Sequence, residues 1–445
     1  MQAIDFVLTG SDKARDLADS LILSEMDVAT AEHFFDTKLV PLTSIGFTKG
    51  TGSQQLGMEF RKETSVGTSV SYGVVGNRLD DSSGYEVANS TNASAYVRVS
   101  QGLFRRWGMQ YNLTDLNSAE LRVKKEEIWV ERERQGLILS AVQKYYDVVL
   151  SSQLLEKAEK SFERSRQHLD SALSRHKVGL VSKVDVYRAE LATLDAESSL
   201  ERQRRAKQRS EDSYKELLRI DADASIQVSK EIRKMSPVVP DGWEEAVWQT
   251  RLDWQAYRVE MKVNNVEIYR AEKNLSPDVS LSGTVEQRGE GDSVEEALEM
   301  DETNWSLQLE LHSSLDTFNE ENVLLRKRMD TARLYREEDA LKRRIARESK
   351  DAFLDLLFAE KSHFISRKRL AQAEMALDLA KTRYEKGLSN NLDLLDAEAS
   401  YSDAGVEIAR SLSAYNLAAV SFAYNLGVLD RQWVEMSLYP VKIKG

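Results

Sequence analysis

The sequence predicts a mainly α-helical protein with a small β part, assembled twice over from one order of elements: a helix, short strands, a long helical hairpin. Three observations predict it. Residues 175–190 recur at 383–398 with a shift of 208, so that Arg175, Gly179, Leu180, Asp185, Ala189 and Glu190 reappear as Arg383, Gly387, Leu388, Asp393, Ala397 and Glu398. Only five prolines interrupt 445 residues, and the apolar positions keep three-four spacing over unusually long stretches, the pattern of a coiled-coil seam. Two clusters of short segments rich in Thr, Val, Ser and Gly break that period, one in each half.

The first repeat spans 1–220. Residues 11–40 read as a helix, with Leu17, Leu21, Val28, Ala31 and Phe35 near helical spacing, Ser11 as N-cap and Pro41 as its stop. Between 42 and 104 the period changes, and 44–50, 55–61, 66–75 and 93–101 read as strands separated by turn residues such as Asn77 and the 80–84 cluster. Tyr72, Val74, Tyr96 and Val99 are the apolar side chains expected to face lipid if this sheet lies in a membrane. From 109 the helical period returns, with Leu155, Ala158, Phe162, Leu169, Ala172 and His176 before a tip near 179, and Val184, Tyr187, Leu191 and Leu194 after it.

Residues 221–240, with Pro237 and Pro240, join the halves. The second repeat spans 241–430: a helix over 241–275 ended by Pro277, strands within 279–311, and a hairpin with its tip near 387. Residues 431–445 are expected as a tail. At each tip a glycine, Gly179 or Gly387, ends a helix where a left-handed residue satisfies the last carbonyls, and Ser182 or Asn390 offers an acceptor to the next helix. Asp185 and Asp393 then fall in a first turn, where the helix dipole favours a carboxylate. Strands flanking hairpins of roughly 100 Å cannot form a stable sheet alone, so partner strands from other copies are expected.

Composition narrows the function. Lys+Arg 61 against Asp+Glu 73 leaves a net charge of -12, which argues against a nucleic-acid partner, and the absence of cysteine removes disulfides, thiolate catalysis and Cys-based zinc sites. No stretch approaches the eighteen or so consecutive apolar residues of a spanning helix, which leaves a β-barrel open. Met1 to Gly10 carries no basic-then-apolar pattern, so no signal peptide is expected. Phosphate-binding loops, dinucleotide turns, HExxH and nucleophile elbows are missing. His33, His168, His176, His312 and His363 are scattered over helix positions that look solvent-facing or over strand ends, without a ligand cluster. No catalytic, cofactor or metal site is expected.

The order of elements, the pattern Tyr384-x-x-Gly387-x-x-x-x-x-Asp393-x-x-Asp396-Ala397 and its copy at Gly179 to Glu190 together resemble the TolC family of outer-membrane efflux and secretion channels. The strand-to-helix junction Val99-Ser100-Gln101-Gly102-Leu103-Phe104 is similar to that family's exit from its barrel, although Gly102 stands where proline is usual. The resemblance implies a homotrimer in a Gram-negative outer membrane, with one β-barrel closed by three protomers and an α-helical barrel extending into the periplasm. It implies a passive duct of a tripartite efflux or type I secretion system, without catalysis or cofactor. Family members give four strands per protomer, twelve in all, whereas six candidates occur here, so either one hairpin stays outside or the barrel is larger. Asp393 and Asp396 match an acidic constriction that closes the passage and attracts cations. Tyr384 matches a tyrosine holding the closed tip, and Asp185 an aspartate paired with a basic residue. The family's arginine falls at Ser389, leaving Lys183 or Lys386 for that pairing. The tips, Gly179, Leu180, Val181, Gly387 and Leu388, match the surface that docks on a periplasmic adaptor and, through it, an inner-membrane pump. The alternative reading is a coiled-coil scaffold or tethering protein with a small β cap.

Overall fold

A computed structural model describes residues 2–48, 51–81, 90–221, 223–224, 232–237, 239–312, 316–389 and 391–438. The chain forms two compact units. One comprises Ser20–Glu127 and Ala256–Asp339; the other comprises Met1–Asp19, Ile128–Gln255 and Ala340–Gly445. Among the described residues no helix is long and apolar enough to cross a membrane, and no group of His, Asp or Glu side chains could hold a metal ion.

The sheet belongs to the first of these units. Strands β1 (Lys38–Thr48), β2 (Thr51–Glu63), β3 (Thr68–Asp81), β4 (Ser90–Gly102), β5 (Val279–Gly291) and β6 (Glu302–Leu311) pair antiparallel in sequence order. Both first-half hairpins therefore join one sheet of six strands. The helix before it runs only from Asp12 to His33, and Pro41, expected as its stop, lies inside β1 opposite Met58. An edge strand accepts proline because half of its N–H groups need no partner in the sheet. The Asp80 to Gly84 turn lies largely outside the described residues.

Register sorts the side chains by face. The rung Leu39, Phe60, Tyr72, Val97, Val285, Trp305 crosses all six strands, and residues two along in either direction share its face. On that face lie Ile45, Phe47, Leu56, Met58, Val74, Val99, Leu281, Leu307, Leu309 and Leu311, all exposed, Trp305 by 78%. The opposite face carries Ser53, Gln55, Glu59, Ser71, Asn77, Arg98, Thr284 and Glu286. Tyr96, expected toward lipid, is on this polar face, where its hydroxyl donates to Glu59 Oε2 and Arg61 holds Oε1 of the same carboxylate at 2.6 Å. Its parity is opposite to that of Val97 and Val99, and one residue of slip exchanges the faces. Gly57 and Gly73 also face the polar side. A Cβ at either would sit 2.5 Å from a carbonyl oxygen of the neighbouring strand, so the sheet bends sharply toward that side there. A short helix, Val294–Ala297, packs on the end of β4 and β5, over Gly289.

The strand-to-helix junction after β4 is held by backbone and side-chain contacts. Gln101 Nε2 donates to the Gly102 carbonyl at 2.9 Å, Leu103 N to Val279 O at 2.8 Å, and Arg106 pairs with Asp278 at 3.0 Å. Gly102 lies so close to Arg106 that an added Cβ would need the arginine to shift. Beyond it the helical parts of this unit are joined by charge. Glu267 lies between Arg122 at 2.8 Å and Lys327 at 2.5 Å, and although burial pushes its carboxyl up, the two cations hold it below the usual range.

The other unit is helical and contains both hairpins' tips. Numbered along the chain through both units, with Gln2–Gly10 as α1 and Asp12–His33 as α2, the helices that follow are α3 (Met109–Asn112), α4 (Thr114–Lys177), α5 (Lys183–Leu218), α6 (Trp243–Thr250), α7 (Leu252–Asn274), α8 (the short helix already given), α9 (Phe318–Glu385), α10 (Asn391–Leu426) and α11 (Arg431–Leu438). The helix expected over 241–275 breaks at Arg251. That buried guanidinium donates to the Asn425 carbonyl and pairs with Asp253 at 2.9 Å; burial pushes the Asp253 carboxyl up, but Arg251 and Arg132 together hold it below its ordinary value. The core includes Trp243, Phe353 and Phe422 in mutual ring contact and the fully buried Asn416, which accepts from Met235 N and donates to Tyr146 Oη and Arg233 O. Residues 232–237 of the joining segment are thereby fixed on α10, and Ser236 N donates to Ser437 O of α11. The segment expected as a tail thus begins with a helix; residues 439–445 lie outside the described residues.

The duplication is visible in the helices. Both α5 and α10 have 36 residues, and their first residues, Lys183 and Asn391, are separated by the sequence shift of 208. Their ends correspond too. Arg219 at φ 50° and Gly427 at φ 74° occupy equivalent left-handed caps.

Candidate functional site

Each hairpin turns by the same local structure. At the first tip Leu180 N donates to Arg175 O at 3.0 Å and Gly179 N to His176 O at 3.0 Å; at the second, Leu388 N donates to Arg383 O at 2.8 Å and Gly387 N to Tyr384 O at 3.0 Å. With Gly179 at φ 72° and Gly387 at φ 74°, these are two Schellman caps. The residue after the glycine normally covers its apolar side chain with a residue of the last helical turn. Here the partner positions hold Arg175 and Arg383, so Leu180 and Leu388 stay in solvent, 76% and 67% exposed. Val181 is half-buried beside them, and its carbonyl meets His176 Nδ1 at 2.8 Å.

The next helices start differently. Ser182 caps α5, its Oγ accepting from Asp185 N at 3.2 Å and donating to Asp185 Oδ2 at 2.6 Å. Asn390, its counterpart, lies outside the described residues, and Ser389, one place earlier, donates to Asp393 Oδ2 at 2.6 Å. One turn on, Arg188 stands 3.8 Å from Asp185, whereas the equivalent position of α10 is Asp396. The first tip thus pairs unlike charges, and the second sets two exposed carboxylates one turn apart. Lys183 lies over the Tyr187 ring at 5.5 Å.

Tyr384 joins the two hairpins. It is only 8% exposed, with the Arg175 guanidinium 4.5 Å from its ring centroid and the His168 ring at 5.7 Å. Its hydroxyl is buried without a hydrogen-bond partner among the described residues. A cation over a tyrosine face is worth about 0.5–2 kcal/mol as it becomes desolvated, so the contact fixes one hairpin against the other near their ends. The structure brings Tyr384 together with Arg175 and His168, and leaves Asp393 and Asp396 exposed on the neighbouring helix.

Residues 245–427 match the family model described as outer membrane efflux protein. A search of curated proteins finds no match. Solved structures similar to the chain include a membrane protein from Pseudomonas aeruginosa, at TM-score 0.74 and 17% identity over 96% of this chain and 93% of that one. The outer membrane protein VceC of Vibrio cholerae is similar at 0.73 and 15%, over 96% and 95%, and the Campylobacter jejuni CmeC outer membrane channel at 0.72 and 14%, over 96% and 85%. The fold is that of the TolC-like outer membrane channels.

Three residues of the long helices escaped sequence reading, two of them, His168 and Arg175, around Tyr384. His168 and His363, expected on solvent-facing helix positions, are both buried. Burial, helped by Lys234 and Arg367, lowers the His363 pKa, and its Nδ1 lies 3.2 Å from Ser411 Oγ. Arg175 appeared only as a conserved place in the duplicated stretch. The available signal was that the cap places Arg175 where an apolar residue is usual, which frees its guanidinium for another partner.

Proposed function

We propose that the chain is a passive outer-membrane exit channel of a tripartite efflux system. Three copies close their sheets into one barrel in the outer membrane of a Gram-negative cell, and the helical hairpins extend into the periplasm. The exposed leucines of the tips, Leu180 and Leu388 on Gly179 and Gly387, with Val181, are the surface on which a periplasmic adaptor docks, and the adaptor connects the duct to an inner-membrane pump. Catalysis and cofactors have no part in this reading. The observation that carries it is the apolar face that runs across all six strands, backed by a polar one. Such a sheet has no stable place in water, and lipid requires that its edges be closed. A coiled-coil scaffold with a β cap would not need that face.

Around a three-fold axis Asp393 and Asp396 give six carboxylates at the periplasmic mouth, a ring that selects cations. Tyr384, clamped by Arg175, keeps the tip in its closed position, with Asp185 on the adjoining hairpin. Single-channel conductance in planar bilayers tests this. Detergent-extracted protein is expected to give cation-selective currents, and Asp393→Ala with Asp396→Ala to reduce that selectivity. Protein that remains soluble without detergent and inserts no channels would overturn the reading in favour of the scaffold.

A further inference from the structure

The apolar face does more than mark the membrane side. On β1 it runs from Leu39 to Phe47 and centres on Thr43; on β6 it runs from Trp305 to Leu311 and centres near Leu309. Thr43 stands in the rung of Leu56, Gly76, Ala93 and Gly289, whereas Leu309 stands in the rung of Leu281, Gln101 and Thr68. On β3 those rungs are eight residues apart, from Thr68 to Gly76, and five strand steps separate β1 from β6. An apolar belt that lies level in a bilayer therefore requires the strands to tilt by about 45°, given a rise of about 3.3 Å per residue and about 4.8 Å between strands. Transmembrane barrels tilt by about that much. The belt keeps the same slope through β1 and β2, so this hairpin belongs to the membrane wall with the other four strands.

We infer that three copies close an eighteen-stranded barrel, six strands from each, with β1 of one copy antiparallel to β6 of the next, and that its lumen passes polypeptide-sized cargo. The inference rests on the trimeric reading above. An even number of strands per copy makes every junction antiparallel, and setting the belt centres of β1 and β6 opposite each other fixes its register. Thr43 then faces Leu309, which also sets Ile45 against Leu307, Phe47 against Trp305 and Pro41 against Leu311. Every outward apolar side chain of β6 then meets an outward side chain of β1. At a tilt of about 45°, eighteen strands enclose a backbone diameter of about 39 Å, against about 26 Å for twelve. Small inward residues such as Ser53, Gly57, Ser71 and Gly73 alternate with longer ones such as Glu59 and Arg98, and together they do not fill that space. The free bore is then about 25 Å, enough for a helical hairpin or a very small folded domain.

The chain has no cysteine, so introduced thiols report cleanly. Ser44→Cys with Gln308→Cys, both lumen-facing and opposite each other in this register, should give covalent dimers and trimers with a bis-maleimide of about 10 Å reach. Trimers linked instead through Ser71→Cys or Asn77→Cys on β3 with Gln308→Cys would show a twelve-stranded wall, overturning this inference and leaving the trimeric channel intact. Monomers alone from every pair would overturn both. On the unmodified protein, a neutral polymer about 20 Å across, added from the extracellular side, should enter and lower the conductance, because only the wider barrel admits it; unchanged conductance would sink the eighteen-stranded lumen.

Discussion

The two hairpin tips share their backbone and differ in their charge. Both close with a Schellman cap on glycine and expose a leucine, and both begin the next helix with a serine near an aspartate. One turn later the first has Arg188 beside Asp185 and the second has Asp396 beside Asp393. Like charges at that spacing cost a helix about 0.2–0.5 kcal/mol, and unlike ones return as much. Stability alone would have made the second tip resemble the first. The difference teaches that the shared features build the turn, while the diverged pair is what the proposed passage or docking would use.

The strongest way to break the contrast is to make the second tip electrostatically like the first. Asp396→Arg would take the proposed six-carboxylate mouth to about zero net charge, and the cation-to-anion permeability ratio should fall several-fold in bilayer recordings. The converse change, Arg188→Asp, should leave that ratio within about a factor of two if only the second tip lines the passage. Equal responses to both would mean that the tips line the mouth together.

A second contrast lies at Tyr384 and its counterpart His176. Tyr384→Ala removes a buried ring and leaves Arg175 unpartnered, a loss of about 3 kcal/mol, seen as faster amide hydrogen exchange around 380–389 and 170–178. His176→Ala gives up one exposed bond to the Val181 carbonyl, about 0.5 kcal/mol. Tyr384→Phe should leave exchange unchanged, because the hydroxyl has no partner to lose among the described residues.

What the sequence discloses follows from how local each feature is. The tips are legible because a left-handed residue closing a helix needs only Gly179 or Gly387 and the few residues before it. Helix ends and the 208-residue shift are read the same way. Pro41 misleads because a proline after a helical run reads equally as a stop or as a residue of an edge strand, and only the partner strand decides. Tyr96 misleads because its face depends on register across β3 and β5, which no local pattern holds. The single six-stranded sheet is likewise a matter of pairing between residues far apart, since β4 and β5 meet across nearly two hundred residues. Burial of His168 comes from α9 packing against it through Tyr384, a contact between hairpins rather than within one.

The next effects are smaller and should be nearly equal. Gly179→Ala and Gly387→Ala each force a Cβ into the left-handed region at a cost of about 1–2 kcal/mol, with open space around both. Unequal loosening of the two tips by hydrogen exchange would show that something besides the cap holds one of them.

The smallest effect separates the serines. Ser182 accepts a backbone N–H of the first turn of α5 as well as donating to Asp185, so Ser182→Ala leaves an amide without its cap and should cost about 1 kcal/mol. Among the described residues Ser389 gives one bond, to the Asp393 carboxylate, that a water can replace, so Ser389→Ala should cost about 0.5 kcal/mol or less. Exchange of the first-turn amides of α5 should therefore speed up more than that of α10. A larger effect at Ser389 would mean that the hydroxyl restrains Asp393 against the repulsion of Asp396, and that the second tip is stabilised where its charges most oppose it.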